Sequence, residues 1–391
     1  MMPRSGLVRR LFSGARESVA RRVGLRGALA LAAMAGMLGL SGCWWGYGNY
    51  YYYWGGGNGG NNALWVANGT NVVEFSPSQL VNGTSDPVPR RTISSSVFSS
   101  PQGVVFDYYG DLWVIDAGTV ATGGTVAPAL YEFTSRQLSQ LSSNSAPTPA
   151  VTISSASFVF PQQATFDNNG NLWVTDNGSE AVYVLSGKQL STTATVTPAQ
   201  TITSTPTFNG PLGITFDYRG NLWVANNGTT TIFGFSSSSL PVVNPSSTTS
   251  ASVALTPSVT LSDNGSGSIQ APWALAVDNS GNLWSSNANS PNTVVEFTRS
   301  QIAASGSPTP NITLASATVS NNATLVAPNG IAFDYYNDLA VMSSGAPFGM
   351  AGYGPSQLRT NPSSPLTPAV FLVGGSTTLN APAGDTFGPT Y

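Results

Sequence analysis

The sequence predicts an all-β chain, a six-bladed β-propeller of four-stranded blades, and three observations predict it. One phrase recurs: Asp107-Tyr-Tyr-Gly110-Asp111-Leu112-Trp113, Asp167-Asn-Asn-Gly170-Asn171-Leu172-Trp173, Asp217-Tyr-Arg-Gly220-Asn221-Leu222-Trp223 and Asp278-Asn-Ser-Gly281-Asn282-Leu283-Trp284, with a weaker Asp334-Tyr-Tyr-Asn337-Asp338-Leu339. A fixed period of roughly 50–60 residues means stacked structural units. Each phrase sits inside the same succession of strand-length apolar runs bounded by turn residues. The two ends of the repeat region are halves of one unit. Ala63-Leu64-Trp65-Val66 is a second strand with no opening strand before it, and Pro382 to Phe387 is an opening strand with none after it. Joined, they complete a blade and remove the open sheet edges.

Within a unit the first run is opened by proline: Pro101 to Phe106, Pro161 to Phe166, Pro211 to Phe216, Pro272 to Val277, Pro328 to Phe333. The Asp-x-x-Gly step follows. Asp at the first position and Gly at the fourth suit a type I turn, and Asn337 replaces the Gly with the next residue tolerant of positive φ. The Leu-Trp-Val run is the second strand. The third ends in an aromatic residue or Leu: Val72 to Phe75, Leu130 to Phe133, Val182 to Leu185, Ile232 to Phe235, Val294 to Phe297, Met350 to Tyr353. A step such as Ser76-Pro-Ser-Gln79-Leu80 leads to a Thr/Val-rich fourth strand: Arg91 to Ser94, Ala150 to Ile153, Gln200 to Thr203, Ser258 to Leu261, Asn311 to Leu314, Ala369 to Leu372.

The 391 residues contain no histidine, one lysine (Lys188) and one cysteine (Cys43). Seven of the fourteen basic residues precede residue 43; the remainder carries seven basic and sixteen acidic residues, a formal balance of −9. An acidic, lysine-poor surface argues against nucleic acid or anionic lipid as a partner.

Residues 1–26 are polar and basic, and Gly27 to Leu40 is an apolar run of signal-peptide length, too short to cross a bilayer. It ends in Leu40-Ser41-Gly42-Cys43, which resembles the lipobox of bacterial lipoprotein precursors. The resemblance implies a signal peptide over residues 1–42, lipid on the Cys43 thiol, and export to the envelope. Trp44, a non-Asp residue after the cysteine, points by the same resemblance to the outer membrane. Arg9-Arg10 and Arg21-Arg22 leave Sec and twin-arginine export both open. Residues 43–62, rich in Trp, Tyr, Gly and Asn, read as a tether, either a flexible spacer or an aromatic segment at the headgroup layer.

Pro211-Leu-Gly-Ile-Thr-Phe-Asp-Tyr-Arg-Gly-Asn-Leu-Trp-Val-Ala-Asn-Asn-Gly228 resembles the NHL-repeat consensus, and the likeness extends over residues 63–391. It implies a propeller, read as monomeric, that binds ligands on the rim holding the fourth-to-first connections. The Asn-x-Arg that usually opens the family's third strand is absent. The RNA binding of some members is therefore not implied.

Trp65, Trp113, Trp173, Trp223 and Trp284 share one repeat position and are expected to pack blade against blade. The turn carboxylates Asp107, Asp167, Asp217, Asp278 and Asp334 are expected to accept local backbone N–H bonds. The candidate ligand face is the second-strand ends: Asn68, Asp116, Asp176, Asn226, Asn227 and Asn287. Its carboxylates and amides suit either sugar hydroxyls or a hard cation such as Ca²⁺, held through Asp116 and Asp176. Hairpin-turn chemistry is the plainer use of the same residues. The long loops 117–129, 263–271 and 315–327 are expected to rim that face. Asp385 occupies the place of Val104, Ala164, Ile214, Leu275 and Ile331, where an acid would line the central channel.

Without histidine there is no Ser-His-Asp arrangement. Lipid on Cys43 would remove the only thiol nucleophile, and no Gly-rich phosphate loop is present. The reading is a lipid-anchored binding or scaffold module with a protein or carbohydrate ligand. A metal-dependent, lactonase-like hydrolase and a purely structural surface protein are the alternatives.

Overall fold

The computed structural model describes residues 63–121 and 124–391. The expected signal peptide over residues 1–42, Cys43 and the expected tether over residues 43–62 lie outside the described residues. The described residues form six blades around an axis. The opening strands are Pro382–Gly388, Pro101–Phe106, Pro161–Phe166, Pro211–Phe216, Pro272–Val277 and Pro328–Phe333 for blades 1 to 6. The second strands are Ala63–Asn68, Leu112–Asp116, Leu172–Asp176, Leu222–Asn226, Leu283–Asn287 and Leu339–Ser343. The third are Asn71–Phe75, Ala129–Phe133, Ala181–Leu185, Thr231–Phe235, Thr293–Phe297 and Gly349–Tyr353. The fourth are Arg91–Ile93, Val151–Ser154, Gln200–Ser204, Val259–Ser262, Ile312–Ala315 and Val370–Val373. Each third strand begins one residue before its apolar run, because its first residue pairs with the last of the second strand, as in Asn68↔Asn71 and Asp116↔Ala129.

The ring closes as the half-units require. Pro382–Gly388 pairs antiparallel with Ala63–Asn68, Val66 opposite Asp385 and Trp65 opposite Thr386. Behind this clasp Glu74 is buried against Arg91 at 2.7 Å, and the Arg91 guanidinium donates to the Tyr391 carbonyl at 2.6 Å.

Each Asp-x-x-Gly step is a turn. Its fourth residue donates N–H to the Asp carbonyl, with positive φ at Gly110, Gly170, Gly220, Gly281 and Asn337. Every opening strand carries a bulge just after its proline. Proline has no N–H to give a ladder, so it sits at a strand start.

Six apolar clusters fill the six seams between blades. The repeated tryptophans lie in these seams, edge-on to the phenylalanine closing the next blade's opening strand. The pairs are Trp65–Phe106, Trp113–Phe166, Trp173–Phe216 and Trp284–Phe333, with centroids 5.8, 6.5, 5.4 and 5.6 Å apart. Such pairs add about 0.5–1.5 kcal/mol each beyond area burial. Blade 6 has Ala340 in the tryptophan position. Its seam with blade 1 is filled instead by Met342, Met350, Leu372 and Leu64.

Four blades carry a fifth strand that the repeat does not announce. It runs parallel to the fourth and comes from the next blade's third-to-fourth connection: Asn144–Ser145 on blade 1, Ala194–Thr195 on blade 2, Ala251–Leu255 on blade 3, Gly83–Ser85 on blade 6. Each of blades 1 to 4 thereby covers part of the outer edge of the blade before it.

Candidate functional site

Strand direction divides the ring into two faces. The Asp-x-x-Gly turns and the third-to-fourth connections share one face. The second-to-third hairpins and the fourth-to-opening connections share the other, which we term the loop face. All six predicted ligand-face residues lie at the loop-face ends of the second strands or just beyond, and all but Asn227 are buried.

Their polar atoms meet the backbone of the incoming connection. Asp116 accepts N–H bonds from Ser99 (2.8 Å), Ser100 (3.0 Å) and Gly118 (2.8 Å). Asp176 does the same with Val159 (2.8 Å), Phe160 (3.0 Å) and Ser179 (3.0 Å). Amides repeat the device. Asn226 accepts from Asn209 N–H and Asn287 from Gln270 N–H, while their Nδ2 groups donate to Thr231 and Thr293 hydroxyls. Asn68 accepts from Asn380 N–H, and Asn227 donates to the Pro272 carbonyl. The acceptor and the first N–H donor stand seventeen positions apart in blades 2 to 5. Burial raises the Asp116 carboxyl above its ordinary range, against the pull of its three N–H bonds. Asp116 and Asp176 each accept three backbone N–H groups, whereas Ca²⁺ takes six to eight oxygens. What these side chains do in the structure is fix the loop face.

On the opposite face the turn carboxylates do more than hold their own turns. Asp167 Oδ1 accepts the N–H groups of Asn169 and Asn171, and Oδ2 accepts both the Asn171 amide and the indole N–H of Trp173. Asp217 and Asp278 repeat the pattern with Trp223 and Trp284. In blade 5 the Asn282 amide also donates to Glu296 at 2.6 Å and so joins two carboxylates. In blade 2 that amide is replaced by Asp111. Asp107, Asp111 and Glu132 therefore each bring a carboxylate oxygen within 4.8 Å of the others. The Asp107 carboxyl is raised to about 6, by burial first and by the Asp111 charge next. Asp334 in blade 6, again followed by an acid (Asp338), is also raised to about 6, chiefly by burial. Periodicity alone did not reveal the trio, because Glu132 enters it through the cross-strand pair Trp113↔Glu132.

A cavity of about 190 Å³ on the axis is lined by the opening strands, with Val104, Ala164, Ile214, Leu275, Ile331 and Asp385 at equivalent positions. Both Asp385 oxygens are buried without a hydrogen-bond partner among the described residues, and burial holds this carboxyl well above the usual range. Oδ1 lies over Gly330 of blade 6, in space that a Cβ there would fill.

No protein-family model matches the chain, and no curated protein matches it. Solved structures of similar fold exist. A protein of unknown function from Bacteroides caccae superimposes with a TM-score of 0.53 at 8% identity, covering 84% of this chain and 100% of that one. A proposed 6-phosphogluconolactonase from Bacteroides fragilis gives 0.52 at 10% identity, over 84% and 98% of the two chains. Virginiamycin B lyase from Staphylococcus aureus aligns over 66% of this chain and 68% of its own, at a TM-score of 0.37 and 14% identity. At these identities the likeness extends to the fold alone.

Proposed function

We propose that this chain is a lipid-anchored β-propeller of the bacterial envelope, of the NHL-repeat type, that binds a protein partner on its loop face. The lipobox Leu40-Ser41-Gly42-Cys43 supplies the anchor and the ring supplies a rigid mount. One observation carries the binding assignment. Val126, Val159 and Phe160 stand on the loop face of blades 2 and 3, 45%, 55% and 41% exposed, and Asp176 grips the backbone N–H groups of Val159 and Phe160. Apolar side chains held in water on a fixed backbone suit a preorganised protein contact, since little ordering cost remains on binding. Loops on a rigid scaffold are where binding residues concentrate.

The test is a photo-crosslinking residue at Phe160 in the full chain, expressed in its own envelope. A discrete crosslinked partner, lost with Val159→Ser in the same chain, is expected. A crosslinking pattern equal to that of a probe at the exposed outer position Val242 would reject the assignment.

A second reading, a divalent-metal-dependent hydrolase, is favoured by the Asp107–Asp111–Glu132 trio. The lactonase name of the B. fragilis protein belongs to the same reaction class. Calorimetric titration with Ca²⁺ and Mg²⁺ on the wild-type chain and on Asp111→Asn tests it. Heat of binding absent from both chains would remove it.

A further inference from the structure

The face opposite the loop face carries four exposed tyrosines in two pairs. Tyr108 and Tyr109 of the blade 2 turn are 60% and 53% exposed, with ring centroids 5.5 Å apart in a T-shaped contact. Tyr335 and Tyr336 of the blade 6 turn are 46% and 54% exposed and 5.3 Å apart in the same arrangement. The turns of blades 3 and 5 carry Asn168-Asn169 and Asn279-Ser280 at these positions. In blade 4 the Tyr218 hydroxyl donates to the Asp278 carbonyl of blade 5.

Blades 2 and 6 flank blade 1, and blade 1 is where the chain joins the ring. Trp65 pairs with Thr386 as Trp113 pairs with Val105, so Ala63 stands where Asp111 stands in blade 2, at the exit of the missing turn. Ala63, the first described residue, therefore stands at the tyrosine-face end of its strand, between the two pairs. The Tyr391 hydroxyl donates to the Gly110 carbonyl and ties the closing blade to the blade 2 turn at the same place.

We propose that this tyrosine face rests on the headgroup layer of a bilayer, with Tyr108, Tyr109, Tyr335 and Tyr336 as its interfacial side chains. The proposal rests on the lipid-anchor reading of Cys43. Tyrosine suits the site because its ring takes the apolar side of the interface while its hydroxyl stays hydrated. About twenty residues separate Cys43 from Ala63, a stretch that reaches no further than ~70 Å even fully extended. Tethering at that range raises the local concentration of the face at the membrane, so weak contacts suffice. The acidic balance of the chain after Cys43 offers no attraction to anionic lipid, so the surface it fits is zwitterionic. The same orientation turns the loop face outward.

The test uses the full chain with vesicles of phosphatidylcholine and phosphatidylethanolamine. An environment-sensitive nitrobenzoxadiazole label is placed at Tyr109→Cys, at Tyr336→Cys and, on the opposite face, at Thr230→Cys. Intact mass spectrometry reads acylation of Cys43 in parallel. The proposal expects a blue shift with vesicles at 109 and 336 and none at 230. It also expects loss of the shift at 109 when Tyr108, Tyr335 and Tyr336 are all changed to Ser. Labels at 109 and 336 that stay as water-exposed as the one at 230, on a chain acylated at Cys43, overturn the face and leave the anchor standing. An unmodified Cys43 thiol overturns the anchor. The labels, now in a Cys43→Ala chain at raised lipid concentration, then decide the face alone: a shift at 109 and 336 upholds it, and no shift overturns it.

Discussion

The Asp278 carboxylate accepts the indole N–H of Trp284 at 3.1 Å, six residues along the same hairpin. The turn between the first two strands thereby fixes the tryptophan that fills the next seam. Asp167 with Trp173 and Asp217 with Trp223 repeat the bond at 3.0 and 3.1 Å. Blade 1 has no such aspartate, and the buried Trp65 indole nitrogen has no acceptor among the described residues.

That difference predicts unequal costs for one chemical change. Trp284→Phe removes a buried hydrogen bond and should destabilise by about 1 kcal/mol more than Trp65→Phe, which removes only an orphaned donor. Urea unfolding of the two variants measures the difference. Equal midpoints would mean that the carboxylate–indole bond contributes nothing net.

Burial of Asp107 and Asp334, with the acids at 111 and 338 beside them, predicts a pH dependence. Asp107 and Asp334 titrate near 6 in the folded chain against 3.8 as the ordinary value, so the folded state holds protons that the unfolded state has released. Stability therefore falls as pH rises from about 4 to about 6 and levels off above. Asp111→Asn supplies the amide that Asn171 and Asn282 supply in their blades. It should lower the Asp107 value and add about 1–2 kcal/mol at pH 7. Thermal melts across that window, with Asp111→Asn and Asp338→Asn separately and together, give the check. A flat profile in the wild-type chain would contradict it.

Asp385 predicts a stabilising change in the clasp. The equivalent position of blade 2 is Val104, and both Asp385 oxygens are buried without partners among the described residues. Asp385→Val should raise stability by about 1–3 kcal/mol at neutral pH, by removing an unsatisfied buried polar group. Because burial raises this carboxyl, the gain should shrink as pH falls and the acid is neutralised anyway. Denaturant melts at pH 4 and pH 8 separate the two regimes.

The loop-face brackets predict that candidate ligand residues are also structural. Asp176→Ala leaves the N–H groups of Val159, Phe160 and Ser179 without their acceptor and should cost about 2–4 kcal/mol. Asp176→Asn keeps a carbonyl oxygen and should recover part of that loss. Hydrogen exchange at 159 and 160 reads the loop directly. Exchange unchanged in Asp176→Ala would show that another contact holds it.

The sequence by itself determined the four core strands of each blade and the closure of the ring. The reason is local: alternating apolar runs, a turn that needs Asp and Gly at fixed positions, and two half-units whose patterns fit only each other. It also placed Asn68, Asp116, Asp176, Asn226 and Asn287 correctly at the second-strand ends. Tertiary structure alone decided how those side chains are spent, because their donors lie across a connection whose length and conformation no periodicity encodes. The outer fifth strands were illegible for a related reason. Asn144–Ser145 and Ala194–Thr195 are too short to carry a pattern and become strands only beside another blade's edge. The Asp107–Asp111–Glu132 trio exists only through the pairing of blade 2's second and third strands, and the two tyrosine pairs come to flank Ala63 only once the ring is closed. The first depends on strand register within one blade, and the second on blade order, which is a property of the assembled ring and not of any one repeat.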